Sequence, residues 1–294
     1  MPEVLEQFSP AKINLYLAVT GIREDGFHEL DSLVALLEFG DRISAAVHDS
    51  GQDRFECNIP ELGWDPNNLV YKALELYRDR TDFSKSLKIV LNKEIPLGAG
   101  LGGGSGNAAT MLKLVNMLNE EKIDQTILAE WSTELGSDCR IFFGSGIQRM
   151  RGRGERMESF PCRIQKELKG KELLIIHPGF GVSAAWAYKS MRESFRDRYT
   201  DPEKSASEIE LWRSGEFEEL SFRNDLSIPV DAKYAAIPCL KNEFLRRFDK
   251  PLFMSGSGSA CFCWIDPSEN KDKVVERVKE CWGPHSLVKF TKLR

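Results

Sequence analysis

The sequence predicts an α+β protein with two domains, and three observations support that prediction. Segments with the two-residue alternation of strands are interspersed with segments that have the spacing of amphipathic helices. The length of 294 residues is enough for two domains of ordinary size. No internal repeat or low-complexity tract points to another architecture. We expect an N-terminal domain over residues 1–160 and a C-terminal domain over residues 161–294.

The composition limits the classes of function. A net charge of −5 argues against a general nucleic-acid binder. No apolar run approaches the ~20 residues that span a bilayer, and residues 1–10 lack the basic and apolar regions of a signal peptide. The seven cysteines form no C-x-x-C pair, which favours a reducing compartment and argues against a structural metal. We therefore expect a cytoplasmic protein without membrane or nucleic-acid partners.

The first predicted element is a strand over residues 8–19, where Ile13, Leu15 and Leu17 alternate with other side chains. Lys12 and Asn14 lie on one face of this strand, because side chains repeat every two residues. That face is either solvated or part of a site.

A turn over residues 23–26 precedes Phe27 and His28. These two side chains either anchor the loop or form a pair that stacks on and hydrogen-bonds to a base, since aromatic faces hold bases well. Further patterns predict a strand at 41–48, a cap at 65–68 before a helix at 69–77, and a strand at 87–91.

A glycine-rich stretch, IPLGAGLGGGSGNAAT at residues 95–110, is the most informative part of the sequence. Glycines allow a loop to turn its N–H groups inward, and the apolar helical pattern that starts at Ala108 adds a helix N-terminus. This combination predicts a phosphate site. A flexible linker is less consistent with the helix that follows. The loop lacks the Lys of a Walker motif, and residues 92–96 separate it from the strand that a dinucleotide fold requires.

Two polar features follow the glycine stretch and a predicted helix at 127–135. Asp138 lies between a glycine and an apolar run, where it is either a helix cap or a functional acid. Residues 146–157 carry four arginines among glycines. They predict either a solvated hairpin or a basic rim beside a polyphosphate.

The C-terminal half alternates again between strands and helices. The patterns predict a strand at 173–177, a helix at 182–191, a mobile insertion or loop at 192–207, helices at 209–222, 241–248 and 272–282, and a strand at 286–290. A glycine-serine turn lies between apolar runs in residues 252–265.

Three separated motifs together resemble the GHMP small-molecule kinases, which include galactokinase, homoserine kinase and mevalonate kinase. They are SPAKINL at residues 9–15, PLGAGLGGGSGNAA at 96–109 and MSGSGS at 254–259. The sequence DGFHEL at 25–30 further resembles the branch of that family whose substrate is a polyol linked to cytidine diphosphate. The family commonly has Tyr at the position of Phe27 and a second Ser at Gly106.

The resemblance implies a two-domain GHMP kinase fold with the active site in the cleft between the domains. It also implies an ATP-dependent phosphotransferase that uses Mg²⁺ with the nucleotide, acts on an alcohol of a small molecule and is a monomer or weak homodimer. Lys12 and Asp138 match the catalytic pair, and Asn14, Phe27, His28 and Tyr188 match substrate-binding positions. The positions that match the ATP site are Asn68, Leu69, Lys93, Pro96, Leu97, Gly98, Ala99, Gly100, Leu101, Gly102, Gly103, Gly104, Ser105, Gly106 and Asn107.

Three other functions remain open from the sequence. The first is a GHMP kinase for homoserine or mevalonate, which would not bind cytidine nucleotides. The second is a non-catalytic ligand sensor on the same scaffold, although the presence of both Lys12 and Asp138 argues against it. The third is a dinucleotide-dependent oxidoreductase, which would bind NADH instead of ATP.

Overall fold

The computed structural model describes residues 4–49, 51–216 and 222–294. The chain forms two units, each made of separated segments. Unit 1 takes the described residues of Met1–Ala11, Phe39–Ile95 and Gly102–Ser145. Unit 2 takes the described residues of Lys12–Glu38, Pro96–Leu101 and Gly146–Arg294. The predicted division at residue 160 stays a prediction.

Strands and helices alternate along the chain, which confirms the α+β fold class. The strands are β1 (Leu5–Ile22), β2 (His28–Val47), β3 (Arg54–Cys57), β4 (Leu87–Asn92), β5 (Ile147–Gly152), β6 (Arg156–Ser159), β7 (Glu172–His177), β8 (Arg223–Asn224), β9 (Phe253–Met254), β10 (Cys261–Trp264) and β11 (Leu287–Lys292). The α-helices are α1 (Leu69–Asp79), α2 (Gly103–Leu118), α3 (Gln125–Trp131), α4 (Cys162–Leu168), α5 (Ala184–Ser194), α6 (Pro202–Ser214), α7 (Ser227–Lys233), α8 (Ala236–Phe248) and α9 (Lys271–Trp282).

Unit 1 packs α1 and α2 around one apolar core. The strand β4 pairs antiparallel with the C-terminal part of β2 and parallel with β3. Alternation along β4 buries Leu87, Ile89 and Leu91, which join the core with Leu74 from α1 and Leu112 from α2. This packing fixes the start of α2, where the glycine stretch enters the helix.

Unit 2 has a second core beneath a four-stranded antiparallel sheet of order β11-β7-β10-β9. In the same unit β5 pairs antiparallel with β2 and with β6, and β8 pairs parallel with β1. Leu174, Ile176 and Cys261 from this sheet pack with Met191 of α5 and Phe244 of α8. Among the described residues, no helix is long and apolar enough to cross a membrane.

Several predicted elements differ from the structure. The strand predicted at 41–48 is the end of β2, which begins at His28. The helix predicted at 209–222 is α6, which starts at Pro202 and ends at Ser214, while residues 217–221 lie outside the described residues. The prediction of a loop at 192–207 is wrong, because this segment holds the end of α5, a 3₁₀ turn at Arg196–Arg198 and the first half of α6.

Candidate active site

The glycine stretch is a left-handed loop that runs into a helix. Gly98, Gly100 and Gly102 have φ angles of 67°, 76° and 70°, a region that favours glycine. The helix α2 begins at Gly103, five residues before the apolar pattern starts, and Gly102 is its N-cap residue. The first N–H groups of a helix lack intrahelical partners, and the helix dipole favours anions there. The stretch therefore has the local backbone of an anion-binding loop.

Within unit 2, the third motif packs against the first half of this loop. The Ser255 hydroxyl donates to the Gly100 carbonyl at 3.0 Å, and the Ala260 N–H donates to the Ala99 carbonyl at 3.0 Å. A Cβ atom on Gly100 would lie 2.2 Å from the Ser255 carbonyl oxygen. Asn224 donates from its side chain to the Met254 carbonyl at 2.7 Å. The motif at 254–259 thus fixes the path of the glycine loop.

Within unit 1, a buried network holds the chain on either side of the loop. Lys93 Nζ lies 2.6 Å from Asp41 Oδ2 and donates to Asn107 Oδ1 at 3.0 Å. Asp41 Oδ1 also accepts from the Ile95 N–H at 2.8 Å, and Asn107 donates to Ser9 Oγ at 3.0 Å. The Lys93 side chain is 2% exposed and that of Asp41 is fully buried. Asp41 was not predicted as a site residue, since its position at a strand gave no sign of the pairing.

Two predicted nucleotide-binding residues start helix α1. Asn68 is the N-cap: its Oδ1 accepts from the Val70 N–H at 2.9 Å, and its Nδ2 donates to the Gly63 carbonyl at 2.8 Å. The predicted cap is confirmed. A Cβ on Gly104 would lie 3.5 Å from Leu69 Cδ1, so Leu69 adjoins the first turn of α2.

Asp138 directly precedes a 3₁₀ helix at Cys139–Phe143 and forms no side-chain capping bond in it. The next residue, Cys139, is hydrogen-bonded to the Ser105 side chain, and burial raises the pKa of its thiol to about 12. The Asp138 charge adds to that rise in pKa. The segment that contains Asp138 thus adjoins the first turn of α2 through the hydrogen bond between Cys139 and Ser105.

Gly106 stands where the family frequently has a Ser, and the structure gives a reason. A Cβ at this position would lie 3.1 Å from a ring carbon of Phe142, from the Pro10 carbonyl and from Ser9 Oγ. That spacing is tighter than ordinary van der Waals contact, so a larger side chain would require its neighbours to shift.

Lys12 and Asn14 lie on a buried face of β1, so the interpretation of a solvated face is wrong. Lys12 Nζ donates to Asn14 Oδ1 at 2.7 Å, and Asn14 Nδ2 donates to Ser32 Oγ at 2.9 Å. Lys12 is 4% exposed. A Cβ on Gly256 would lie 3.2 Å from Lys12 Nζ, so the ammonium lies beside the third motif.

An aromatic cluster in unit 2 contains His28, Tyr188 and Tyr199, and Phe27 directly precedes His28 in the chain. Phe27 is 51% exposed, and the Arg153 guanidinium lies 5.2 Å from the centre of its ring. The buried His28 ring lies 5.2 Å from Tyr188, and its Nε2 is 3.0 Å from the hydroxyl of Tyr199. Burial lowers the pKa of His28, as does the charge of a nearby arginine, so the imidazole is neutral at pH 7.

Tyr199 and Arg192 were missed as site residues, because the sequence predicted a mobile loop over 192–207. Arg192 is the arginine that lowers the pKa of His28, and its side chain donates to the Gly26 carbonyl at 3.5 Å. Only the Asp-Pro pair at 201–202, a common helix start, indicated an ordered segment here.

The hairpin of β5 and β6 carries the predicted arginines, and most of them are paired with acids. Arg149 makes two 2.8 Å bonds to Asp31, and both side chains are largely buried. Arg151 lies 3.4 Å from Glu158, and Arg156 is paired with Glu29. These pairs favour a structural role for the hairpin over a basic rim beside a polyphosphate.

The predicted site residues fall into two sets. Unit 1 holds Asn68, Leu69, Lys93, Asp138 and residues 102–107, whereas unit 2 holds Lys12, Asn14, Phe27, His28, Tyr188 and residues 96–101. In unit 2 the contacts form two separate groups, one of Lys12 and Asn14 beside the glycine loop and the third motif, and one of His28 with Tyr188. The pairing of Lys12 with Asp138 stays a prediction.

Comparison with known proteins identifies the family. The model of the GHMP kinases N terminal domain matches residues 68–146, and that of the GHMP kinases C terminal domain matches residues 210–283. A 4-diphosphocytidyl-2-C-methyl-D-erythritol kinase of Protochlamydia amoebophila is 36% identical over 256 residues, covering 87% of this chain and 83% of that protein. The chain belongs to the 4-diphosphocytidyl-2-C-methyl-D-erythritol kinase family.

Other members of this kinase family agree. A relative from Thermodesulfovibrio yellowstonii is 34% identical over 276 residues, covering 92% of this chain and 93% of the relative. A chloroplastic relative from Arabidopsis thaliana is 37% identical over 259 residues, which is 87% of this chain. The chain spans 66% of the length of that plant relative.

Solved structures agree with the sequence relatives. The crystal structure of a 4-(cytidine 5'-diphospho)-2C-methyl-D-erythritol kinase matches with a TM-score of 0.75 and 28% identity, covering 98% of this chain and 99% of that one. The mevalonate kinase of Methanococcus jannaschii matches with a TM-score of 0.67 at 13% identity, covering 100% of this chain and 99% of that one, and supports the fold alone. The predicted GHMP kinase fold is confirmed.

Proposed function

We propose that this protein transfers the γ-phosphoryl group of ATP to the 2-hydroxyl of 4-diphosphocytidyl-2-C-methyl-D-erythritol, a step of non-mevalonate isoprenoid biosynthesis. The observation that carries the proposal is the near full-length likeness to kinases named for this substrate. The side chains of Phe27, His28 and Tyr188 support the proposal that the site binds the cytidyl end of the substrate. They offer two ring faces and a neutral imidazole.

The proposed chemistry depends on charge and position. Phosphoryl transfer passes through a loose transition state, so a cation beside the transferring group stabilises it. Lys12 suits that role, because Asn14 holds its ammonium in a fixed place on a rigid strand. Asp138 would orient the attacking hydroxyl and accept its proton.

The ATP phosphates would lie along residues 96–107, with Ser105 and the first N–H groups of α2 as donors. Asn68 and Leu69 would line the nucleotide pocket. Lys93 would act by holding the loop, since its ammonium is already paired with Asp41.

Mg²⁺ would accompany ATP and neutralise phosphate charge when bound. Within residues 4–49, 51–216 and 222–294, no three His, Cys, Asp or Glu side chains form a cluster that could hold a metal. Mg²⁺ that accompanies a nucleotide is usually held mostly by phosphate oxygens and water, with few protein ligands.

The decisive experiment measures ADP release with ATP–Mg²⁺ and the cytidyl substrate, with mevalonate and homoserine as competing alcohols. We expect turnover with the cytidyl substrate alone. Asp138→Asn should lower kcat by roughly 10²–10⁴-fold, since it removes the proposed proton acceptor. Asp124→Asn, which alters the exposed cap of α3 in the same unit, should leave kcat unchanged.

The other outcomes are equally informative. Turnover of mevalonate or homoserine would contradict the substrate and leave the kinase fold intact. ATP binding without turnover of any alcohol would favour a ligand sensor. Cytoplasmic location, a monomer or weak homodimer, and the absence of nucleic-acid partners remain predictions.

A further inference from the structure

The His28 imidazole is held from one side by Tyr199, a residue that no sequence motif placed in the site. Tyr199 places its hydroxyl 3.0 Å from His28 Nε2, and the two rings meet edge to face with centres 5.8 Å apart. Tyr188 lies against the same imidazole, with ring centres 5.2 Å apart. The imidazole is therefore fixed between two tyrosines, and one of them, Tyr188, matches a predicted substrate-binding position.

The position of Tyr199 is itself fixed by its neighbour. The Thr200 N–H donates to the Val19 carbonyl at 2.9 Å, and the Thr200 hydroxyl donates to Asp225 Oδ2 at 2.6 Å. Asp225 Oδ2 also accepts from the Val19 N–H at 2.8 Å, and the Asp225 side chain is 2% exposed. A buried acid thus anchors residue 200 to β1, which leaves the adjacent tyrosine little freedom to move.

The hydrogen bond between Tyr199 and His28 bears on which nitrogen of the neutral imidazole carries the proton. One ring nitrogen carries a proton and the other accepts, and the partner of one nitrogen decides the state of the other. Burial raises the pKa of Tyr199, so its hydroxyl keeps its proton at neutral pH. A phenol that donates to Nε2 leaves the proton on Nδ1, which is then a hydrogen-bond donor.

A donor of fixed position can distinguish cytosine from uracil. At ring position 3, cytosine has an acceptor nitrogen, whereas uracil has an N–H donor. Stacking on aromatic rings binds both bases with little discrimination. A site that presents a donor rejects the wrong base because two donors then face each other unpaired.

We propose that Tyr199 is a specificity-determining positioning residue: its hydroxyl donates to His28 Nε2 and holds the imidazole as an Nδ1–H donor that selects cytosine over uracil. This inference rests on the proposed function, because it assumes that the aromatic cluster binds a pyrimidine nucleotide. Tyr199 acts only through His28.

The test compares the binding of CDP and UDP, so that it does not depend on turnover. We expect wild-type protein to prefer CDP, and Tyr199→Phe to reduce the ratio of the two affinities by about ten-fold. Tyr234→Phe is the matched control, since Tyr234 packs in the aromatic core of the same unit against Phe180 and Trp186. That control should keep the wild-type ratio.

A second measurement reads the imidazole directly. Nitrogen-15 NMR of the four histidines, assigned with His28→Gln, should show His28 as the Nδ1–H tautomer in wild type and a mixture of tautomers in Tyr199→Phe. In kinetic assays, Tyr199→Phe should raise KM for the cytidyl substrate and leave kcat and KM for ATP unchanged.

An unchanged CDP to UDP ratio in Tyr199→Phe, or an Nε2–H tautomer in wild type, would overturn the inference. An equal fall in the ratio for Tyr234→Phe would also overturn it, because the effect would then come from general packing. Wild-type protein that selects CDP but phosphorylates no cytidyl polyol would sink the proposed function and leave the role of Tyr199 standing.

Discussion

The structure adds a buried ion pair to Lys93, a residue that the resemblance matches to the nucleotide pocket. Its ammonium is buried against Asp41 and Asn107, and its role in nucleotide binding stays a prediction. Asp41 in turn accepts from the backbone N–H groups of Glu94 and Ile95, directly before the glycine stretch. We infer that this ion pair sets the geometry of the chain that enters the glycine loop.

Breaking the Asp41–Lys93 pair should destabilise the folded protein. Asp41→Asn keeps a side chain of the same size but leaves the Lys93 charge buried without its counter-ion. Such a change typically costs about 3–5 kcal/mol. Urea denaturation should show a loss of that size in the free energy of unfolding.

An exposed ion pair of the same sheet provides the control. Lys88 and Glu56 lie 2.9 Å apart with side chains 48% and 58% exposed. Glu56→Gln should change the free energy of unfolding by no more than about 1 kcal/mol. Equal losses in the two variants would show that burial does not strengthen the Asp41–Lys93 pair.

At the scale of elements, the glycine loop depends on close backbone approach as well as on left-handed conformation. Gly100 and Gly170 separate the two effects, because both have positive φ, at 76° and 80°. A Cβ on Gly100 would clash with the Ser255 carbonyl, whereas a Cβ on Gly170 would meet nothing within 4 Å.

Substitution of each glycine by alanine should therefore lower the free energy of unfolding by different amounts. Gly170→Ala should cost only the strain of a left-handed alanine, roughly 1–2 kcal/mol. Gly100→Ala should cost several kcal/mol, because the loop must also move away from the motif at 254–259. Thermal denaturation of both variants tests this difference, and similar melting temperatures would contradict the clash.

The elements that were predicted well are those in which local pattern and tertiary packing agree. Alternation in β4 and helix spacing in α1 were visible, and the Asn68 cap marked a boundary. The segment at 192–207 was mistaken for a loop because its composition is polar. Its order comes from contacts distant in sequence, such as Thr200 with Asp225, which a local pattern does not contain.

The same limit applies to the site. The glycine stretch and residues 9–15 were predicted as site segments because their motifs are continuous in sequence. Asp41 and Tyr199 were missed because the partner of each side chain is distant in the sequence. Asp41 is 52 residues from Lys93, and Tyr199 is 171 residues from His28. Neither residue type is unusual enough at its position to signal a role.

Each unit has an apolar core of its own, and the proposed ligands would bind only to the folded state. Ligands that bind only the native state stabilise it, by about 2.7 kcal/mol at a concentration of 100 times Kd. We therefore expect ATP–Mg²⁺ and CDP each to raise the melting temperature. NADH is the control ligand, and stabilisation by NADH alone would restore the dinucleotide hypothesis.

The two units are also interleaved along the chain, which bears on how the protein is made. Unit 1 has all its segments once residue 145 has been synthesised, whereas the early residues of Lys12–Glu38 belong to a unit that ends with Gly146–Arg294. Residues 30–35 of β2 pair with β5. At ~5–20 residues per second, they are synthesised roughly 5–20 s before β5 emerges from the ribosome. During that interval the backbone N–H and C=O groups of residues 30–35 lack their partners in β5, and an unpaired strand edge of this kind favours aggregation unless it is protected.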